Sequence, residues 1–171
     1  SIGKNLFTVK KPQGTFLSNY PIIEINHLCI TGYIRWLSNN NQILRPAHTT
    51  SNESWLRLFV DQWTNQQNGM LEKIDGEFAV IIWDYTIQEI WAIRDIFGTE
   101  PLHYFSEKQD LTFASNAKSL WPIPNPPPKL NKERVLDFIV DDLEHADQTS
   151  TFKQGIYKTP IGSIVHWKNG N

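Results

Sequence analysis

A chain of 171 residues with 40% hydrophobic and 20% charged residues has the balance of an ordinary globular domain and the length to bury one core, which excludes wholesale disorder. Its formal net charge is −2 and its Lys and Arg residues are scattered, which argues against a nucleic-acid partner and against a membrane-surface helix. A single cysteine, Cys29, excludes an internal disulfide and a multi-cysteine zinc site, and no apolar run approaches membrane length, so the sequence reads as one soluble, cytoplasmic domain spanning 1–171.

From Ser1 to Ile25 the pattern is weak, although Pro21–Ile25 can open a strand. Leu28–Trp36 is dense in β-branched and aromatic residues and predicts a strand, with Gly32 marking a bulge or a close backbone approach. The run Ser38–Asn41 predicts a loop. Thr50 and Glu53 have capping-box spacing and open a helix whose stripe is Trp55, Leu58, Phe59 and Trp63, with Asn68-Gly69 as its stop. Phe78–Trp83 is nearly continuously apolar, as in a strand covered on both faces, and returns through Ile90–Ile93 as a hairpin. Leu102–Phe105 and Leu111–Ala114 repeat that arrangement.

Pro122–Pro128 reads as a stiff surface connection. Asn131 caps a second helix in which Val135, Phe138 and Ile139 share a face. Ile164–Trp167 is a last strand before a turn signal at Lys168–Asn171, which implies a partner strand or further domain beyond. The five histidines show no metal-ligand spacing, and Asp141, Asp142, Glu144 and Asp147 read as a solvated acidic face, so no metal site is expected.

Four segments carry a resemblance. Asp75-Gly76-Glu77-Phe78-Ala79 with Trp83-Asp84 is similar to "DGxFA…WD", and Arg94–Tyr104 to "RDxFGxxPLYY". Phe113–Leu120 is similar to "FASExKAL" with Asn116 in place of Glu, and Gly155–Gly162 to "GIxKLPPG". In this order they resemble the class II glutamine amidotransferase domain that precedes the synthetase domain of asparagine synthetases, a family related to beta-lactam synthetases and lasso-peptide cyclases. The resemblance implies an α+β fold, a four-layer αββα sandwich of two antiparallel sheets of the Ntn-hydrolase kind. Asp75, Gly76, Arg94, Asp95, Gly98 and Pro101 are assigned mainly to holding that fold: Asp75-Gly76 alone reads as a turn, Arg94-Asp95 as an ion pair beside Gly98, and Pro101 as fixing a turn.

The chemistry implied by the resemblance uses an amino-terminal cysteine, whose thiolate attacks the amide and whose α-amino group is the base. Here the first residues are Ser1-Ile2-Gly3, and Cys29 sits in a predicted strand, where a small buried residue is the expected role. The family's oxyanion-hole "NGE" corresponds to Thr31-Gly32-Tyr33, and loss of its amide donor would cost about 3 kcal/mol of transition-state stabilisation. Its "SDxE" corresponds to Ser51-Asn52-Glu53, where Asn52 replaces the carboxylate that holds the substrate ammonium. The arginine-bearing "HRG" and "HRLSI" segments are absent.

The expectation is a non-catalytic domain with a remnant pocket at Thr31, Gly32, Tyr33 and Asn52, supporting an ATP-dependent amide-forming synthetase. No cofactor is expected here. ATP and magnesium are expected in a following carboxyl-terminal synthetase domain, and a homodimer is left open. The alternatives are an active glutamine-hydrolysing domain of an asparagine synthetase whose amino terminus is altered here, and a free-standing module that binds a peptide or amino acid; separately, Ser1 as a true mature terminus is the one candidate nucleophile left.

Overall fold

The computed structural model describes residues 6–10, 15–17, 21–45, 51–107, 110–141 and 147–168. In chain order the strands are β1 (Leu6–Lys10), β2 (Thr15–Leu17), β3 (Ile23–Ile25), β4 (Leu28–Asn39), β5 (Gln42–Ile43), β6 (Ile74–Asp84), β7 (Glu89–Arg94), β8 (His103–Glu107), β9 (Asp110–Ala114), β10 (Ile156–Lys158) and β11 (Ile164–Lys168). Helix α1 (Asn52–Gln66) lies between β5 and β6, and α2 (Lys132–Asp141) between β9 and β10. The chain forms two compact units, residues 1–19 with 101–160 and residues 20–100 with 161–171. Each is built on one antiparallel sheet, so the class is α+β, as expected.

In the first unit the strand order is β10-β8-β9-β1-β2. The β8–β9 hairpin has the expected form, whereas β1 and β2 fall in the stretch whose sequence pattern is weak. β1 is fixed by pairing with β9, Leu6 opposite Ala114 and Val9 opposite Leu111. Ala114, Leu120 and Ile156 form a small core here. Asn116, the departure from the family's Glu, caps a 3-10 turn (Ala117–Leu120) by accepting from Lys118 N at 2.9 Å.

Asn131 caps α2 as expected, its Oδ1 accepting from Arg134 N at 3.3 Å. The expected apolar face is not buried, however. Phe138 and Ile139 are exposed, Val135 is half-buried, and the buried residue is Arg134, whose guanidinium lies 5.7 Å from the centre of the Phe152 ring. The acidic cluster falls partly outside the described residues. Asp147, at the surface, accepts on its Oδ1 from Thr149 N (2.7 Å), Thr149 Oγ1 (2.8 Å) and Ser150 N (3.1 Å), which makes it a local cap.

The second unit holds the sheet β11-β7-β6-β4-β3, with β5 paired to the end of β4. β4 is longer than predicted. Ser38 and Asn39 belong to it, and the turn is only Asn40-Asn41, both at positive φ, which suits a two-residue hairpin because asparagine tolerates the left-handed region. Ile30, Ile34, Phe78, Val80 and Ile82 alternate onto the face covered by Leu56, Phe59, Val60 and Trp63 of α1. Phe59 meets Phe78 edge to face at 5.2 Å, and full burial of each such side chain is worth about 1.5–3 kcal/mol. Residues 78–84 of β6 are buried without interruption, as the continuous apolar run predicts.

The start of α1 is shifted by one residue from the expected capping box. Ser51 is the cap, its Oγ accepting from Ser54 N (3.3 Å) and its carbonyl from Trp55 N (3.2 Å). Thr50 lies outside the described residues, and Glu53 instead meets Arg57 Nη2 at 3.0 Å. Nor does the chain leave the helix at Asn68-Gly69. It tightens into a 3-10 turn (Gln67–Glu72) that buries Met70 completely. No described helix is long and apolar enough to cross a membrane, which says nothing about a β-barrel.

Candidate functional site

Strand alternation divides the remnant-pocket residues between two faces of the second sheet. Gly32 shares the α1 face with Ile30 and Ile34, while Thr31 and Tyr33 lie on the opposite face beside Ile81 and Ala79. Gly32 has φ +145, and a Cβ there would stand 2.2 Å from the Ala79 carbonyl oxygen, so only glycine fits. The close-approach reading therefore holds, and the register shift lies further on, between Ile34 and Trp36. Thr31 is fully buried.

The structure brings Gly32 and Asn52 together. Asn52, at the first turn of α1, donates from Nδ2 to the Gly32 carbonyl at 2.8 Å, and its Oδ1 accepts from Ile34 N at 3.1 Å. One side-chain amide thus bridges the two backbone groups flanking Tyr33, as a neighbouring strand would. Both ends of the Asn52 amide are used, and the donated bond requires an NH2 group that a carboxylate lacks.

On the opposite face a charged group escaped the sequence reading. Arg35 contacts Glu77 at 2.9 Å and Glu100 at 3.8 Å. A hydrogen bond to the Tyr33 side chain, then the Glu77 charge, hold the guanidinium above the usual arginine range. Burial pushes the Glu100 carboxyl up, with Arg35 opposing. The signal was available: Tyr33 and Arg35 alternate onto one side, and Glu77 lies on the paired strand.

The motif residues act on backbone. Arg94 Nε donates to the Glu100 carbonyl (2.9 Å) and Nη2 to the Gly98 carbonyl (2.8 Å), while burial, partly offset by Asp95, lowers its pKa. The Asp95 carboxylate accepts from Phe97 N (2.9 Å), Thr99 N (3.2 Å) and Thr99 Oγ1 (3.1 Å) in the loop and from Phe78 N of β6 (3.4 Å), so it ties the loop to the sheet as well as to itself. Gly98, at φ +64, packs against Ile161, and Gly162 N donates to the Asp95 carbonyl at 2.9 Å. Two of the four resembling segments therefore meet here. Asp75 and Gly76 are not a turn. They sit in β6 opposite Ser38 and Leu37, and a Cβ on Gly76 would lie 2.4 Å from the Trp36 carbonyl oxygen. Pro101 is exposed.

Ser1 lies outside the described residues. Cys29 is half-buried in β4, and burial followed by the Glu24 charge pushes its thiol up, away from nucleophile chemistry. Among the described residues no group of three His, Cys, Asp or Glu side chains could hold a metal ion.

A family model described as a glutamine amidotransferase domain matches residues 37–171, and the chain belongs to that family. It is a class II glutamine amidotransferase domain related to asparagine synthetases. The matched span includes Asn52 and all four motif segments but begins after Thr31-Gly32-Tyr33. The chain is similar to glutamine-hydrolyzing asparagine synthetase 2 of Bacillus subtilis strain 168, 32% identical over 109 residues, 61% of this chain and 15% of that protein. It is similar also to putative glutamine-hydrolyzing asparagine synthetase 1 of Methanocaldococcus jannaschii, 39% identical over 95 residues, 50% of this chain and 17% of that protein. To amidase chry2 of Gibberella zeae it is 30% identical over 95 residues, 56% of this chain and 13% of that protein. The matching stretch spans less than a fifth of each of these relatives.

Proposed function

We propose that residues 1–171 form one amidotransferase domain that does not hydrolyse glutamine and instead supports an ATP-dependent, amide-forming synthetase domain. The observation that carries this reading is the Asn52 amide. At the position that the resemblance gives to the ammonium-binding carboxylate stands a neutral group whose donor and acceptor both serve β4. A ligand ammonium would have to displace Ile34 N–H from Oδ1 and would meet no charge there. The half-buried Cys29, with its raised thiol pKa, supports the same reading. ATP and magnesium would belong to the following domain, the setting would be cytoplasmic, and the exposed aromatic residues Phe138 and Phe152 would contribute to a docking surface.

The test is ammonia release from glutamine by protein whose native amino terminus has been fixed by intact mass. Release no greater than from a heat-killed control is expected. Turnover abolished by Ser1→Ala would overturn the proposal in favour of a serine nucleophile. Calorimetric binding of glutamine without turnover would favour the free-standing binding module instead.

A further inference from the structure

At the far end of α1 from Asn52 the second unit holds a cavity of about 440 Å³, lined by residues to which the proposed amide chemistry gives no role, although one of them, Asp84, closes the first resembling segment. Asn52 and Trp63 are eleven residues apart, which places the cavity about 16 Å along the helix axis from the amide bridge. Its floor is the last cross-strand row of the sheet, Leu28, Asp84, Glu89 and Lys168, with Trp91 and His166 in the row behind. Trp63 and Thr64 of α1 close one side, and His27 and exposed Ile87 lie on two turns at the sheet's end.

The hydrogen-bonding capacity of this cavity is lopsided. Asp84 Oδ1 accepts from Thr86 N (2.9 Å), Thr86 Oγ1 (2.6 Å) and Ile87 N (3.2 Å), and its Oδ2 meets His27 Nε2 at 3.2 Å. Glu89 Oε2 meets His166 Nε2 at 2.6 Å, and Oε1 faces Lys168 Nζ at 3.8 Å. Both carboxylates are therefore occupied and largely covered. The spare capacity belongs to donors. The Lys168 side chain is 63% exposed, with only that long contact among the described residues, and His27 is 51% exposed with one ring nitrogen committed. Trp91 stacks on His166 at 4.7 Å and meets the buried Trp63 edge to face at 5.5 Å, so the apolar surface left to a ligand is that of half-buried Trp91 and exposed Ile87.

We propose that this cavity binds a small carboxylic acid with a planar apolar body, the ring against Trp91 and Ile87 and the carboxylate on Lys168 and His27. An organic cation would find its two counter-charges already paired and three basic groups beside them. A ligand with acceptor oxygens and an aromatic or flat hydrocarbon body uses what remains, as pockets of this size do when a few polar groups fix orientation within apolar walls.

Phenylacetate is a suitable probe, with neutral phenylacetamide as its isostere, titrated against the full chain while the tryptophan indole N–H resonances are followed. Phenylacetate is expected to saturate in the millimolar range and to shift the Trp91 signal, assigned by Trp91→Phe. The amide should bind more weakly. Lys168→Ala, at an exposed strand end, should weaken phenylacetate by roughly two- to fivefold, and His27→Gln similarly. The absence of saturation, equal binding of acid and amide, indifference to both variants, or shifts confined to other tryptophans would each overturn the proposal. None of these outcomes depends on whether glutamine is hydrolysed.

Discussion

Replacing Asn52 by aspartate restores the residue type that the family resemblance places there, and the structure says it should harm rather than repair. Aspartate can still accept from Ile34 N, but it cannot donate to the Gly32 carbonyl, 2.8 Å from the present Nδ2. That leaves a partly buried carbonyl facing a carboxylate oxygen, at a cost of about 1–3 kcal/mol for an unmade hydrogen bond. A negative charge in the first turn of α1 returns about 0.3–1 kcal/mol through the helix dipole. The net expectation is a loss of about 1–2 kcal/mol at neutral pH, or about 0.5–1 M in the urea midpoint followed by tryptophan fluorescence.

The pH dependence separates this cause from general damage. In Asn52→Asp the introduced carboxylate, held against a carbonyl oxygen, has its folded-state pKa raised above the unfolded value of about 3.9. The destabilisation is then complete above the folded pKa and shrinks as the pH falls through it, because the protonated carboxyl regains a donor for Gly32. The midpoint gap between Asn52→Asp and the parent should narrow toward pH 4. Asn52→Ala, which loses both bonds for about 2 kcal/mol, should show no narrowing. If Asn52→Asp proved as stable as the parent at pH 7, or were stabilised by glutamine, the view that this amide serves the strand would be refuted.

Three further outcomes follow from the same geometry. Gly32→Ala places a Cβ 2.2 Å from the Ala79 carbonyl oxygen at a φ of +145 and should cost about 3 kcal/mol or more, seen as loss of the cooperative thermal transition; a normal midpoint would contradict the close approach of β4 to β6. Cys29, with its thiol pushed up by burial and Glu24, should react with iodoacetamide more slowly at pH 7 than a small-molecule thiol, read by intact mass; faster labelling would contradict its placement. For Asp84, burial alone would raise the carboxyl, but hydrogen bonds from Thr86 and Ile87 outweigh it and hold the pKa down. Its contribution is therefore complete above the unfolded value of about 3.9 and is lost as the pH falls through the depressed folded value, so Asp84→Asn should flatten the acid limb of the stability curve below about pH 4.

What the sequence made legible was whatever a single segment decides for itself. β4, β6 and β7 announce themselves because their residues alternate or run apolar, and their burial follows. β1 carries no such signal, because it is held between β2 and β9 and the partner that ties it into the sheet, β9, lies more than 90 residues away. In α2 the periodicity aligned Val135, Phe138 and Ile139 but could not say which side would be covered: Arg134 is buried with Phe152 beside it, while Phe138, which also meets Phe152, and Ile139 stay exposed. The same distinction governs the site. Motif position led to Asn52, yet its role depends on a pairing with β4 eighteen to twenty residues earlier, which no local pattern encodes. The segments that made the family recognisable, Arg94–Gly98 and Ile161-Gly162, turn out to hold one another through backbone hydrogen bonds and a tight glycine contact. They are needed by this fold whether or not an amide is cleaved, so their presence identifies the scaffold and is silent on the chemistry. On the proposed reading, activity is judged at the two positions where the resemblance puts the reacting residue types, the amino-terminal nucleophile and the group at Asn52.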